Sequence, residues 1–322
     1  MPVLEGLDWS PKWVSHLGCL KGCLDYLSVD ISDAWLFGGT AHAFVINLSD
    51  DLCPSGPTAW RSDIIFKLGR NLGFTVETAF GSRRDRTLKS AQQHAWALVR
   101  EAIDAGAPCY GWELGVPEYY VIAGYDDDGY LYTGPMTDGV AGPLPHDRLG
   151  DTGIGMVEVH VVKRVKPAGE YRVVRDALRA AMRHAREPGD WRLDPYVMGP
   201  SAYETWAGAL EAGRALAVGA AYNAAVWLEC RRFALEFLRE ARERLGGAAV
   251  WDRAVEHYDS VCRGLETVQE LYPFRPGLRE ERLPSDERAR EAVAALREVR
   301  DAEAAGLEEL EMLAEEALCH AA

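Results

Sequence analysis

The spacing of hydrophobic positions changes near Pro167. Before that residue, short runs rich in Val, Ile, Tyr and Phe are flanked by Gly and Pro, which is typical of β-strands. The predicted strands are 43–48, 74–80, 107–114, 119–125, 129–134 and 155–163. Two other stretches, "LGCLKGCLDYL" and "SAQQHAWALVREAIDAG", have the spacing of helices. The first part of the chain is therefore predicted to be α+β.

After Pro167 the strand pattern stops and a helical period continues to the end of the chain. About five helices are predicted from this period, at 170–186, 200–213, 219–245, 248–271 and 284–318. In the third, Val226, Cys230 and Phe237 lie on one stripe and charged residues lie largely opposite. The predicted domains are therefore an α+β domain, 1–166, and an all-α helical bundle, 167–322.

Composition limits the classes of partner. With 322 residues, 48% of them hydrophobic, the chain can bury the cores of two domains. A formal net charge of −15 without a concentrated basic face argues against nucleic-acid binding. The apolar runs fall short of the ~20 residues that span a bilayer, and the N-terminus lacks a signal-peptide pattern. The chain is predicted to be cytoplasmic, with no membrane partner.

The cysteines and the common motifs say little about cofactors. Seven cysteines are spread through apolar surroundings, which suits reduced thiols better than a disulfide framework. Phosphate-binding, dinucleotide-binding and zinc-protease motifs are absent. The acidic run "DDDG" (126–129) has the pattern of a hairpin turn and lacks the ligand spacing of a calcium loop. No cofactor and no metal are predicted.

One cysteine has the sequence context of a nucleophile. In "WVSHLGCLKGCLDYL" (13–27), Cys19 follows Gly18 at the apparent start of a helix, where free N–H groups and the helix dipole favour a thiolate. Cys23 follows one turn later on the same face. The alternative is that Cys19 is a small buried hydrophobe, as cysteines in apolar helices commonly are.

Several motifs resemble those of a known superfamily. A cysteine in a core helix with Leu24 five residues on, and a strand about a hundred residues later that ends in "VIAGYDDDGYLY", resemble the papain-like cysteine hydrolases. The bacteriocin-processing leader peptidases and the N-terminal domain of the butirosin-type acyltransferases are the most similar groups. "DISDAWLFGGTAHAF" (30–44) resembles a segment of the latter. The resemblance implies a core helix and an antiparallel sheet, followed by a helical domain.

The catalytic roles of these families transfer incompletely. By the resemblance, the nucleophile is Cys19, but Glu118 stands where the general-base histidine is expected. Gly134, before Pro135, takes the place of the orienting Asp, and Trp13 that of the glutamine of the oxyanion hole. Three of the four roles therefore fall on residues of other types.

The missing imidazole leaves three candidate proton carriers. A protonated Glu118 that shares a proton with Glu113 could donate a proton to a leaving group, whereas an ionised Glu118 would raise the pKa of the Cys19 thiol. His42, in "GGTAHAFVIN", is a second candidate, and His16 is a weaker one. For each histidine the alternative is a hydrogen-bonded core residue, and for Glu118 it is a salt bridge or a backbone contact.

A set of further residues is predicted to bind a ligand. Aromatic side chains close to the predicted site could line an apolar substrate cleft, although core packing explains them equally well. One asparagine of the helical domain could face an interdomain cleft, or be satisfied by ordinary helix packing. The predicted ligand-binding residues are Trp13, His16, Cys23, Trp112, Glu113, Tyr119 and Asn223.

Two functions from different classes remain open. In the first, the protein is a cysteine-dependent amidase or acyltransferase with Cys19 as nucleophile and a non-standard proton carrier. In the second, the papain-like fold is retained without catalysis, and the interdomain cleft binds a peptide or a small molecule. A third hypothesis makes the helical domain a surface for homo-oligomerisation.

Overall fold

The computed structural model describes residues 2–246 and 249–319 of the chain. The α-helices in these residues are α1 (Ser15–Tyr26), α2 (Asp33–Gly39), α3 (Asp63–Leu72), α4 (Leu88–Asp104), α5 (Glu170–Arg186), α6 (Ser201–Glu211), α7 (Ala217–Leu245), α8 (Ala249–Leu271) and α9 (Glu287–Cys319). The strands are β1 (Asn47–Leu48), β2 (Phe74–Ser82), β3 (Cys109–Trp112), β4 (Tyr119–Tyr125), β5 (Gly129–Thr133), β6 (Ala141–Pro145), β7 (Met156–Arg164) and β8 (Val197–Met198). None of the described helices is long and apolar enough to cross a membrane.

The first compact unit comprises residues 2–31 and 73–167. Its six-stranded sheet has the order β2-β7-β3-β4-β5-β6, and neighbouring strands are antiparallel. Successive residues of a strand point to opposite faces of the sheet. His160 of β7 faces α1, where it stacks near His16, and Gly81 of β2 faces α4, where a Cβ would lie 2.5 Å from that of Ala91. The sheet is therefore covered by one helix on each face.

The second compact unit comprises Ser32–Leu72 and the chain from Ala168 onward. It holds α2, α3 and the helices after Pro167, together with a two-stranded antiparallel ribbon of β1 and β8. Arg231 of α7 is fully buried among them and donates to both carboxylate oxygens of Glu303 in α9, at 2.8 and 2.7 Å. Residues 32–72, which the sequence pattern assigned to the first domain, pack with the helices because α2 lies against α7.

The mixed α+β class and the helical C-terminal region are confirmed. The five predicted helices correspond to α5–α9, each within a few residues at either end. The predicted strand 43–48 is shorter, because a 3₁₀ turn occupies His42–Phe44 and only Asn47–Leu48 pairs with another strand. Strand β6 was not predicted, because its sequence "AGPLP" has two prolines, which break the strand pattern.

The start of α1 differs from the prediction. The helix begins at Ser15, so Cys19 is its fifth residue and lies in its second turn. The sequence pattern had placed the apparent start next to Gly18. Here Gly18 has another purpose: a Cβ at this position would lie 2.5 Å from the carbonyl oxygen of Ser10. The glycine allows the preceding segment to cross the helix at close range.

Candidate functional site

Ser15 joins the start of α1 to the start of β4. Its buried hydroxyl donates a short hydrogen bond to a carboxylate oxygen of Glu118 and accepts one from the backbone N–H of Tyr119, at 3.1 Å. Glu118 is half-buried. The helix therefore begins with Ser15, and the hydroxyl of this serine bonds to Glu118. The sequence pattern had placed Cys19 at the helix start.

Cys19 has none of its surface exposed to solvent. The pKa of its thiol lies well above the ordinary value, first because burial disfavours the charged form and then because of the negative charge of Glu118. A smaller opposing effect comes from a backbone hydrogen bond at Val121. The expectation of a thiolate stabilised at a helix start was wrong, since Cys19 lies one turn inside the helix and its surroundings favour the protonated thiol.

Cys23 is buried on the same helix. Burial raises the pKa of its thiol well above the ordinary value, and the neighbouring thiols of Cys109 and Cys19 raise it further. Both helix cysteines therefore have the burial and protonation of small hydrophobic core residues. A ligand-binding role for Cys23 stays a prediction.

Glu113 and Glu118 have different hydrogen-bond partners. The Glu113 carboxylate accepts from the hydroxyl of Thr152 at 2.8 Å, whereas that of Glu118 accepts from Ser15. Burial raises the pKa of Glu113, and the hydrogen bond from Thr152 partly offsets the effect. The two residues are linked through their backbones, by a hydrogen bond from the N–H of Glu113 to the carbonyl of Glu118 at 2.8 Å. A proton shared between the carboxylates stays a prediction.

Gly134, the position that the resemblance predicted for an orienting Asp, lies against the ring of Tyr120. An added Cβ there would lie 2.5 Å from that ring. That ring is itself held in place, because its hydroxyl donates to the carbonyl of Pro135 at 2.9 Å. The close approach of the ring requires glycine.

The predicted aromatic residues of the first unit do come together. His16 stacks on Tyr119 with ring centroids 4.2 Å apart, and its Nε2 lies 3.0 Å from the hydroxyl of Tyr110. Trp112 packs edge-on against Tyr119 at 5.0 Å. These four residues are buried, whereas Trp13 keeps 37% of its surface exposed. Of these aromatic side chains, Trp13 is the one available to a ligand from solvent.

Two predicted residues belong to the second unit. His42 is buried, with its Nδ1 3.7 Å from the sulfur of Cys230, and burial lowers its pKa to about 3. Asn223 is also buried: its amide donates to the carbonyl of Gly219 at 2.9 Å, and its oxygen accepts from Trp227 at 3.0 Å. The contacts of both side chains within their own unit match the alternative of satisfied core residues. Their roles towards a ligand stay predictions.

A hydrogen-bonded chain that the sequence did not suggest lies on the α1 face of the sheet. The Nδ1 atom of His160 is 2.9 Å from the hydroxyl of Thr78, and its Nε2 is 2.9 Å from Glu158. The hydroxyl of Tyr119 donates to the other carboxylate oxygen of Glu158 at 3.1 Å. The alternation of β7 could have placed Glu158 and His160 on one face, but nothing in the sequence identified Thr78 as the neighbour across the strands.

Metal chemistry has no support within the described residues, where His, Cys, Asp and Glu do not form a group of three or more able to hold an ion. No protein-family model matches the chain, and no curated protein matches it in sequence.

Proposed function

We propose that the first unit is a papain-like binding domain that does not use Cys19 as a nucleophile and that binds a peptide or small molecule with a cationic group. The burial of Cys19 is the observation that carries this proposal. A nucleophilic cysteine needs an accessible thiolate and a partner that favours the charge. Cys19 is shielded from solvent, and the nearby charge of Glu118 acts against ionisation.

The surface next to Glu118 supports binding of a cation. Trp13 is two residues before Ser15 and Val116 is two residues before Glu118, so each lies close in the chain to one end of the hydrogen bond between Ser15 and Glu118. Trp13 is 37% exposed and Val116 43% exposed. A half-buried carboxylate with exposed apolar neighbours suits a ligand that has an amino group beside an apolar group.

Alkylation of the native protein tests the loss of cysteine chemistry. Iodoacetamide is applied between about pH 6 and pH 9, a range that includes the free-thiol pKa of ~8.5, and each cysteine is followed by peptide mass spectrometry. Cys53, which is partly exposed, is the internal control. We expect Cys53 to react and Cys19 to react only after unfolding in urea. Alkylation of native Cys19 below about pH 7 would contradict the proposal.

Calorimetric titration with the dipeptide amide Leu-Phe-NH₂ tests the binding surface. This probe has a cationic amine and two apolar side chains. We expect saturable binding that weakens about fivefold in Glu118→Gln, which corresponds to an ion pair worth about 1 kcal/mol. Glu101→Gln, which removes an exposed carboxylate of α4, is the matched control and is expected to bind as the native protein does. Equal affinity of both variants would exclude Glu118 as the cation partner.

A second candidate function keeps the enzyme hypothesis but moves the nucleophile. Ser15, at the first position of α1, donates its hydroxyl hydrogen to Glu118, as a nucleophile does to a base. A carboxylate is a weaker base than imidazole, and Ser15 is buried, which is why binding is preferred. An acyl adduct on Ser15 after treatment with p-nitrophenyl acetate, absent in Ser15→Ala, would favour this candidate. Its absence from the native protein would exclude it.

A further inference from the structure

The register of two strands places a hydroxyl beside an imidazole. Thr78 of β2 and His160 of β7 are direct partners across the strands, and Glu158 precedes His160 by two residues, so all three side chains share one face. The three residues differ in their exposure to solvent. Thr78 is exposed, the side chain of Glu158 is 14% exposed and that of His160 is 1% exposed. Thr78 is therefore in contact with solvent, while the imidazole of His160 is shielded from it.

The hydrogen bonds of this chain have a single consistent direction. The carboxylate of Glu158 accepts from the hydroxyl of Tyr119, and it accepts from Nε2 of His160 on its other oxygen. A neutral imidazole whose Nε2 carries the hydrogen has an acceptor at Nδ1. In that form of the ring, the Nδ1 atom accepts from the hydroxyl of Thr78. The hydroxyl of an exposed residue, a base and an orienting carboxylate then follow one another, which is the order used in acyl transfer.

We infer that Thr78, His160 and Glu158 form an acyl-transfer site on the edge of the sheet, with the Thr78 hydroxyl as nucleophile. The site lies on β2 and β7, and its chemistry uses neither Cys19 nor Glu118. The inference therefore goes beyond the proposed binding function and does not depend on it. Thr78 and His160 are the catalytic residues, and Glu158 is a positioning residue that acts through the imidazole.

The reaction needs no cofactor for its balance. The oxygen of Thr78 forms a bond to the carbonyl carbon of an ester, while its proton passes to Nδ1 of His160. The bond from that carbon to the leaving oxygen then breaks, and His160 returns the proton to the leaving group. Water attacks the threonyl ester in the second half, with His160 again taking and returning a proton, and the hydroxyl of Thr78 is restored.

The surroundings indicate an apolar acyl group. Phe80 follows Thr78 by two residues on the same face and is 56% exposed, and its partner across the strands is Glu158. The aromatic ring therefore lies beside the proposed nucleophile and faces solvent. Esters of short fatty acids suit this arrangement, because the alkyl chain can cover the exposed ring and remove its surface from water.

Active esters test the inference directly. The full-length protein is mixed with p-nitrophenyl hexanoate, the release of p-nitrophenolate is followed, and the acylated residue is located by fragmentation of the tryptic peptide 71–83. We expect a hexanoyl group on Thr78. Thr78→Val should lower the rate at least tenfold and abolish this adduct, whereas Thr78→Ser should retain both. Thr75→Val, the same substitution on the same strand, is the matched control and should behave as the native protein does.

Glu158→Gln separates positioning from mere support of the fold. If Glu158 orients the imidazole, this variant lowers the rate and shifts its pH profile, and the adduct stays on Thr78. Circular dichroism spectra of the variants establish that each is folded. Three results would overturn the inference: no adduct on native Thr78, an adduct located only on another residue, or an unchanged rate in folded Thr78→Val. Each is independent of Cys19 alkylation and of the Glu118 titration.

Discussion

The hydroxyl of Ser15 and the carboxylate of Glu118, 103 positions apart in the chain, are joined by a hydrogen bond. The backbone N–H of Tyr119 donates to the same hydroxyl at 3.1 Å. The Ser15 side chain thus bonds to both a carboxylate and a buried amide, and it connects the start of α1 to the start of β4. The side chain of α1 that bonds to Glu118 is therefore an alcohol, and Cys19 lies one turn further along the helix.

Ser15→Ala is expected to lower the free energy of unfolding by about 1 to 3 kcal/mol. The substitution removes the hydrogen bonds that the buried hydroxyl makes with Glu118 and with the N–H of Tyr119, and an unmade buried hydrogen bond costs about that much. Urea unfolding measures the change. Ser90→Ala is the control, because Ser90 is exposed on α4 and bonds only to the nearby carbonyl of Thr87; it should change stability by less than ~0.5 kcal/mol.

Glycine-to-alanine substitutions in two helices should have opposite effects. A Cβ at Gly18 of α1 would lie 2.5 Å from the carbonyl oxygen of Ser10, so Gly18→Ala should destabilise the fold by about 1 to 3 kcal/mol. Gly208 of α6 has open space at the same atom, so Gly208→Ala should stabilise by roughly 0.5 to 1 kcal/mol. Thermal and urea unfolding compare the two. A stabilising Gly18→Ala would contradict the close crossing of the N-terminal segment.

Glu303→Gln is expected to cost about 3 to 5 kcal/mol, because it leaves the fully buried charge of Arg231 uncompensated. The same substitution at Glu311, whose pair with Arg186 is about half exposed, should cost no more than ~1 kcal/mol. Both pairs use two hydrogen bonds of similar length, but the Arg231 pair is buried and Glu303 also accepts from the hydroxyl of Tyr203. Urea unfolding of both variants is the measurement. Equal costs would show that burial does not decide the energy of the Arg231 pair.

Acid should destabilise the second unit through two histidines. Burial lowers the pKa of His42 and of His184 from 6.5 to about 3. For His42 the charges of His184 and Arg231 add to this effect; for His184 Arg231 does so, while its hydrogen bond with Ile46 opposes it.

Between pH 6.5, the pKa of a histidine in the unfolded chain, and about pH 3, its pKa in the folded chain, the unfolded chain binds protons that the folded chain does not. The free energy of unfolding therefore falls as the pH falls. The loss is about 1.4 kcal/mol per pKa unit for each group. Urea unfolding from pH 7 to pH 4 should show this slope, and His42→Phe should reduce it if the variant folds. A fold whose stability is independent of pH in this window would contradict the burial of the two rings.

The helical half illustrates how much a periodic sequence can predict. In α7 the apolar stripe of Val226, Cys230 and Phe237 is buried as its spacing requires, and the predicted ends lie within two residues of the observed ones. What the stripe packs against was not predictable. Residues 32–72 were assigned to the first domain because they precede the change in pattern, yet they pack with the helices. Contacts across such distances in the chain leave no local signal.

The candidate site also has features that the sequence could predict and features that it could not. The sequence drew attention to His16 and Tyr119, which do stack. It placed Cys19, after Gly18, at the apparent start of a helix. Gly18 is instead required by the close approach of the Ser10 backbone, which is a tertiary contact.

By itself the sequence determined the mixed class of the first half and the helical class of the second, because these depend on periodicities of two and 3.6 residues. Only the tertiary structure decided that Ser15 meets Glu118 and that Thr78 meets His160. Those pairs depend on strand register and on the closure of long loops, and their free energy comes from hydrogen bonds and burial shared between distant segments. The sequence next to each of these residues therefore does not identify its distant partner.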